Sequence, residues 1–178
     1  MDDHRLTIRP MASDDCDRVA EIRVGGWRAA YRGIVPQTYL DAMDVAQEAE
    51  RRRAHLAGAG GAVVNLVAEE GGRVVGWGCH GPYRDHDGTR SEAAELYALY
   101  VDPARIGTGA GRALLAESVR RCALAGHRRM LLWVLRDNAR ARRFYARAGF
   151  GPDGAAEPFE VGGVAVPEVR YARALPSG

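Results

Sequence analysis

The sequence contains no lysine among its 178 residues, so all 25 of its basic residues are arginines. Because a Walker phosphate loop and a pyridoxal Schiff base both require a lysine, these two kinds of site are excluded. Cysteine is also scarce. Cys16, Cys79 and Cys122 are widely spaced and form no CxxC pair, which argues against a disulfide framework and a zinc site. We therefore expect no metal and a reducing, cytoplasmic setting.

Long apolar runs are missing as well. No segment approaches the ~20 apolar residues of a membrane helix, and the amino-terminal sequence MDDHRLTIRPM lacks the apolar core of a signal peptide. The formal charge is only +2 and hydrophobic residues make up 47% of the chain. This composition predicts a globular single domain over residues 1–178, with neither nucleic acid nor a membrane as partner.

Apolar spacing and turn residues predict a mixed α/β fold with the element order β-α-α-β-β-β-α-β-α-β-β. Gly71-Gly72, between two β-rich runs, indicates a hairpin turn. One continuous helix is expected over residues 36–58, since a proline suits its start and glycines its end. A later helix can begin at Asn138, which suits an N-cap, and end at Gly149.

Two strands are expected to flank the third helix of this order. AAELYALYVDP should be a strand that Asp102-Pro103 ends, and RMLLWVL is a continuous apolar run typical of a buried strand. Strict alternation along the first strand predicts two faces with three residues each. One face would hold Leu96, Ala98 and Tyr100, and the other Tyr97, Leu99 and Val101.

Between these strands lies RIGTGAGRALL, in which Gly107, Gly109 and Gly111 alternate before an apolar helical pattern begins. Glycines leave backbone N–H groups uncovered, and the helix start adds the positive end of a dipole. The junction therefore suits a pyrophosphate without any lysine. The dinucleotide fingerprint GxGxxG does not fit, because its third glycine would fall on Arg112 or Leu114.

The segments LYALYVDPARIGTGAGRALL and LLWVLRDNARARRFYARAGF together resemble the GNAT acyl-CoA N-acetyltransferases. The resemblance is dense from Leu96 to Phe150, and the predicted element order extends it over nearly the whole chain. It implies an α/β fold whose mixed, mostly antiparallel sheet is splayed between strands 4 and 5 and flanked by helices. It also implies direct transfer of an acetyl group from acetyl-CoA to an amine, and it admits a homodimer.

The resemblance assigns a set of residues to the coenzyme. The family's loop pattern, Gln/Arg-x-x-Gly-x-Gly/Ala, falls on residues 106–111, with isoleucine at its first position. The backbone of the preceding strand would meet the pantetheine arm, Arg112 could supply charge, and Asn138 matches a coenzyme-contacting asparagine that also suits a helix cap. The implied coenzyme-binding set is Leu99, Val101, Ile106, Gly107, Gly109, Ala110, Gly111, Arg112 and Asn138.

Acetyl transfer requires an acid for the departing thiolate and a base for the attacking ammonium. Tyr145 matches the family's general acid in RRFYARAGF, although the residue pattern alone would favour a core tyrosine. Glu95 is the candidate base because it lies on the same strand as Leu99, and Glu92 is the second candidate. The alternative for Glu95 is an exposed carboxylate without a catalytic role. Cys79 is interpreted as a buried strand cysteine rather than a nucleophile.

Four residues are candidates for the acceptor pocket. Members of this family commonly form one pocket wall between the first two helices, where Trp27 and Tyr31 share a helix face. Glu168, near the carboxy terminus, would form the opposite wall and receive a cationic amine. His80 completes the set and is also an alternative base.

Three functions are compatible with these patterns. The first is an N-acetyltransferase that acts on a small-molecule amine, such as a polyamine, an amino acid derivative or an aminated antibiotic. In the second, the acceptor is a protein amino terminus or a lysine. The third is a noncatalytic module that binds an acyl-CoA as a sensor.

Overall fold

A computed structural model describes residues 5–84 and 92–176 of the chain. The strands are, in chain order, β1 (Thr7–Pro10), β2 (Val64–Glu70), β3 (Arg73–Pro82), β4 (Ala94–Val101), β5 (Arg129–Leu135), β6 (Gly151–Val161) and β7 (Val164–Ala174). The α-helices are α1 (Cys16–Ala30), α2 (Gln37–Ala42), α3 (Val45–Gly58), α4 (Ala110–Leu124) and α5 (Ala139–Arg147). None of the helices in these ranges is long and apolar enough to cross a membrane.

The seven strands form one mixed sheet in the order β1-β2-β3-β4-β5-β7-β6. Neighbours are antiparallel except for β4 and β5, which run parallel. This parallel pair is joined only over residues 94–96 and 130–132, although β4 continues to Val101 and β5 to Leu135. The predicted α/β fold, with a sheet splayed between strands 4 and 5, is therefore confirmed.

The glycine turn, the asparagine cap and the terminal glycine that the sequence predicts lie at the ends of their strands and helices. Gly71 and Gly72 have φ angles of 58° and 73°, which a tight hairpin between β2 and β3 needs. The Asn138 side chain accepts a hydrogen bond from the Ala141 N–H at 3.2 Å at the start of α5, and Gly149 follows the end of that helix with a φ of 86°.

The continuous helix predicted over residues 36–58 is instead two helices. Met43 is extended, and the Asp44 side chain accepts a hydrogen bond from the Gln47 N–H at 2.7 Å. This contact caps α3, so the chain restarts a helix at Val45 and does not continue α2.

A β-bulge in β4 changes which of its residues share a face. Cys79 of β3 pairs with Ala98 and His80 pairs with Leu96, which leaves Tyr97 as an extra residue in β4. The faces predicted by strict alternation are therefore wrong. Leu96 packs with α4 on the same side as Leu99, whereas Tyr97 joins Ala98 and Tyr100 against the side covered by α1 and α3.

Candidate active site

A cleft of about 2180 Å³ opens where β4 and β5 separate. It is lined by both strands, by the loop before α4, by α5, and by the facing residues of α1 and α3. Pockets for one small molecule usually measure ~300–1,000 Å³. The cleft therefore leaves room for two substrates at once.

The glycine loop lines this cleft. Gly107 and Gly109 have φ angles of 87° and 100°, a backbone region that favours glycine, and Gly109 is the N-cap of α4. The Cβ of any other residue at Gly111 would lie 3.3 Å from Val101 Cγ2, so glycine lets α4 approach β4 closely. The backbone N–H groups of the first helical turn have no acceptor within α4, which leaves them available to an anion.

The other predicted coenzyme residues surround this loop. Leu99, Val101, Arg112 and Asn138 line the cleft, as does Ile106, whose side chain is 41% exposed. Ala110 is buried and does not itself line the cleft, so only its backbone is placed to contribute. Because β4 does not pair with β5 beyond Leu96, the backbone between Leu99 and Val101 has one edge without a strand partner.

Tyr145 of α5 also lines the cleft. Its ring packs edge-on against Phe144 and Phe150, with centroids 5.2 and 6.1 Å away. Burial raises the pKa of Tyr145 well above its ordinary value, and nearby Tyr100 adds to this shift. The phenol is therefore protonated at neutral pH, which is the form that can donate a proton.

Glu95 lies on the cleft side of β4 and is buried, with 3% exposure. The expected alternative of an exposed strand carboxylate is therefore wrong. Arg84 holds its two oxygens: the backbone N–H donates to Oε2 at 3.0 Å, and Nη2 lies 3.0 Å from Oε1. Glu92, the second candidate base, is exposed and is not among the residues that line the cleft.

Aromatic side chains form the wall contributed by α1. Trp27 Nε1 donates a hydrogen bond to the Tyr100 hydroxyl at 2.9 Å, and Tyr31 packs edge-on against Trp27 at 4.8 Å. Phe159 of β6 lies 6.2 Å from the Trp27 ring. Burial raises the pKa of Tyr31 well above its ordinary value. Glu168 of β7 also lines the cleft, so three of the four predicted acceptor residues reach it.

His80 is the exception. It is buried between β3 and α4, where its Nδ1 lies 3.0 Å from the Ser118 hydroxyl, and it is not among the residues lining the cleft. Burial lowers the pKa of His80 to about 4. The structure does not bring His80 to the acceptor side, because the sheet separates it from α1 and α3.

The structure also brings residues to the cleft that the sequence patterns did not single out: Arg23, Arg52, Arg84, Tyr100 and Phe159. They come from five different elements or loops, and no short motif contains them. Only Tyr100 had a local indication, because it follows Leu99 in the strand assigned to the pantetheine arm. Recognition of the others required the packing of α1, α3 and β6 around the sheet.

Residues 26–150 match the model of the Acetyltransferase (GNAT) family. The uncharacterized N-acetyltransferase YuaI of Bacillus subtilis is 31% identical over 92% of this chain and 90% of its own length. The L-methionine sulfoximine/L-methionine sulfone acetyltransferase of Salmonella typhimurium is 34% identical over 48% of each chain. A solved structure of yncA from Salmonella typhimurium with its cofactor acetyl-CoA has a TM-score of 0.71 at 26% identity, covering 98% of this chain and 96% of that one.

Proposed function

The chain belongs to the acetyltransferase (GNAT) family of acetyl-CoA-dependent enzymes, and we propose that it transfers the acetyl group directly to the primary amine of a small molecule. One observation carries this proposal: a single cleft joins an anion-binding glycine loop to a protonated tyrosine and a buried carboxylate. An acyl donor bound through its phosphates would extend along β4 toward these two side chains.

Coenzyme binding uses the backbone more than side chains. The amides of residues 107–111 and the start of α4 would hold the pyrophosphate, with Arg112 adding charge at the rim. The unpaired edge of β4 between Leu99 and Val101 would bind the pantetheine amides. The Asn138 Oδ1 atom caps α5, so the Asn138 Nδ2 group is the part that would contact the coenzyme.

In the chemical step, the amine nitrogen attacks the thioester carbonyl, a C–N bond forms and the C–S bond breaks. A backbone N–H of β4 near Leu99 would stabilise the oxyanion. The Tyr145 hydroxyl would give its proton to the departing thiolate, and the proton that the nitrogen loses as the amide forms would restore the hydroxyl. This role agrees with the raised pKa of Tyr145, which keeps the hydroxyl protonated until the thiolate forms.

The amine must lose a proton before it can attack. An alkylammonium of pKa about 10.4 is neutral in fewer than ~0.1% of molecules at pH 7, a deficit of roughly 4–5 kcal/mol. Glu95 would accept this proton, directly or through a water molecule. Arg84 contacts both Glu95 oxygens at the cleft wall, and these contacts must loosen as the carboxylate takes up the proton.

The acceptor side supports a small molecule over a protein. The Trp27 ring of α1 and the Phe159 ring of β6 pack 6.2 Å apart in the cleft wall, and this aromatic wall suits a small acceptor. One Salmonella relative is an acetyltransferase named for two small molecules, L-methionine sulfoximine and L-methionine sulfone.

Calorimetry followed by a turnover assay tests the proposal. The purified protein is titrated with acetyl-CoA, with NADH and ATP as controls, and then mixed with a panel of amines while free thiol is measured. We expect one acetyl-CoA per chain and amine-dependent thiol release. Binding without thiol release would favour the sensor, release with peptides alone would favour a protein acetyltransferase, and a folded protein that does not bind acetyl-CoA would contradict all three.

A further inference from the structure

Two arginines line the acceptor side of the cleft, where the mechanism above assigns them no role. Arg23 comes from α1 and Arg52 from α3, and their side chains are only 21% and 16% exposed. Both contact the same carboxylate, Glu48, which is itself buried. Burying a guanidinium group costs desolvation free energy unless an opposite charge balances it.

The charges in this cluster do not balance. Arg23 Nη1 lies 3.2 Å from Glu48 Oε2, and Arg52 Nε lies 2.8 Å from Oε1. Two positive charges therefore share one negative charge. Arg51 also reaches Glu48, at 4.0 Å, but that side chain is largely exposed to solvent. The cluster retains one positive charge that no described carboxylate within this contact set neutralises.

The contact between Arg52 and Glu48 is also incomplete as a hydrogen bond. Although Arg52 Nε and Glu48 Oε1 are close, both atoms are buried without a hydrogen-bond partner among the described residues. Arg52 Nη2 lies 3.0 Å from His55 Nδ1. Burial lowers the pKa of Arg52, so the guanidinium is less well stabilised here than in water. An anion that enters the cleft would stabilise the charged form of this guanidinium.

Stacking joins both guanidinium groups to aromatic side chains that line the cleft. Arg23 lies over the Trp27 ring at 4.9 Å, and Arg52 lies over the Trp77 ring at 5.1 Å. Each tryptophan contacts Tyr100: Trp27 through its hydrogen bond, and Trp77 by stacking at 6.0 Å. Tyr100 is the neighbour of Leu99 in β4. Two aromatic rings, a tryptophan and Tyr100, therefore link each arginine to the strand where the acetyl group would be presented.

We infer that Arg23 and Arg52 bind the carboxylate of the acceptor, so that the acceptor is an amino acid or a close analogue carrying both an amine and a carboxylate. The inference rests on the proposed transfer to an amine. A guanidinium fork matches the two oxygens of a carboxylate, and one excess positive charge matches a singly charged anion. Glu157 and Glu168, paired across β6 and β7, line the same cleft and favour the ammonium end of such a molecule.

The test compares matched acceptors. Each proteinogenic L-amino acid is assayed beside its carboxamide, which keeps the amine and side chain but removes the negative charge, and spermidine represents a purely cationic acceptor. We expect at least one amino acid to be acetylated with a kcat/KM ten or more times that of its carboxamide. In Arg52→Gln this preference should fall at least tenfold through a higher acceptor KM, with the KM for acetyl-CoA unchanged.

Matched variants keep the result independent of folding. Arg53→Gln removes a partly exposed arginine from the same helix, where it pairs with Asp17, and should keep the wild-type preference. Arg23→Gln should act like Arg52→Gln. Because the preference is a ratio measured on one preparation, a partly unfolded variant does not distort it.

Equal or better acetylation of carboxamides or spermidine, or an unchanged ratio in both cleft variants, would overturn the inference and leave the proposed function standing. Thiol release with none of these amines would overturn both.

Discussion

The backbone N–H and the guanidinium of Arg84 both donate to the carboxylate of Glu95, which is buried at the wall of the cleft. This carboxylate is held in one orientation by a residue 11 positions earlier in the chain. The pair therefore fixes the group proposed to receive the amine proton, and it couples that group to the connection between β3 and β4.

Replacing Glu95 with glutamine should lower kcat/KM about 100-fold at pH 7 if the carboxylate accepts the amine proton. The loss should shrink toward pH 10, because the acceptor amine then deprotonates in solution. A pH–rate profile of wild type and Glu95→Gln measures both effects. Glu92→Gln, at an exposed position outside the cleft lining, is the control and should behave as wild type. Identical profiles for Glu95→Gln and wild type would remove Glu95 from this role.

Tyr145→Phe should lower kcat by about 10²–10⁴-fold while the Kd for acetyl-CoA changes little, because only the proton donor is lost. Stopped-assay thiol release gives kcat, and calorimetry gives the Kd. Tyr171→Phe is a matched control, since that hydroxyl is buried against Arg142 outside the cleft lining. Equal kcat values for Tyr145→Phe and wild type would show that another group protonates the thiolate.

Gly109→Ala should weaken acetyl-CoA binding at least about tenfold, or roughly 1.4 kcal/mol. The φ of Gly109 is 100°, and a side chain in left-handed backbone costs about 1–2 kcal/mol, so the loop should shift and its amides lose their common direction. Gly151→Ala is the control, because its φ is not in that region and its Cβ would meet nothing within 4 Å. Calorimetric titration with acetyl-CoA measures the affinity of both variants. An affinity of Gly109→Ala equal to that of the wild type would mean that the loop does not hold the coenzyme.

His80 should make stability depend on pH. Burial lowers its pKa to about 4, whereas the unfolded chain titrates near 6.5. Between these values only the unfolded state binds the proton, so the free energy of unfolding rises with pH. The contribution of His80 to this free energy is complete above about pH 6.5 and is lost as the pH falls toward 4. The full effect is on the order of 3 kcal/mol.

Urea unfolding at several pH values between 4.5 and 7.5 measures this dependence. His80→Gln should show a shallower rise in stability with pH than the wild type, because the other titrating groups are common to both proteins. His55→Gln is the control, because it removes an exposed histidine of α3 on the opposite face of the sheet from His80, and it should keep the wild-type slope. Parallel curves for His80→Gln and wild type would contradict the prediction.

Features that depend on neighbouring residues could be predicted from the sequence. The Gly71-Gly72 turn, the Asn138 cap and the end of α5 at Gly149 each follow from the backbone preferences of one or two residues. The splay between strands 4 and 5 came from the family resemblance and was confirmed. The break between α2 and α3 was missed because Asp44 is compatible with a helix but caps the next one more favourably.

The sequence by itself determined the glycine loop, the family and the order of the elements apart from the break between α2 and α3, because turn chemistry, apolar periodicity and a short motif act over a few residues. Only the tertiary structure decided which polar groups meet. The bulge at Tyr97 sets the faces of β4, the sheet keeps His80 away from the cleft, and the packing of α1 against α3 brings Arg23 to Arg52 around Glu48. These contacts join residues far apart in the chain. Their formation depends on strand register and helix packing, which no local pattern encodes.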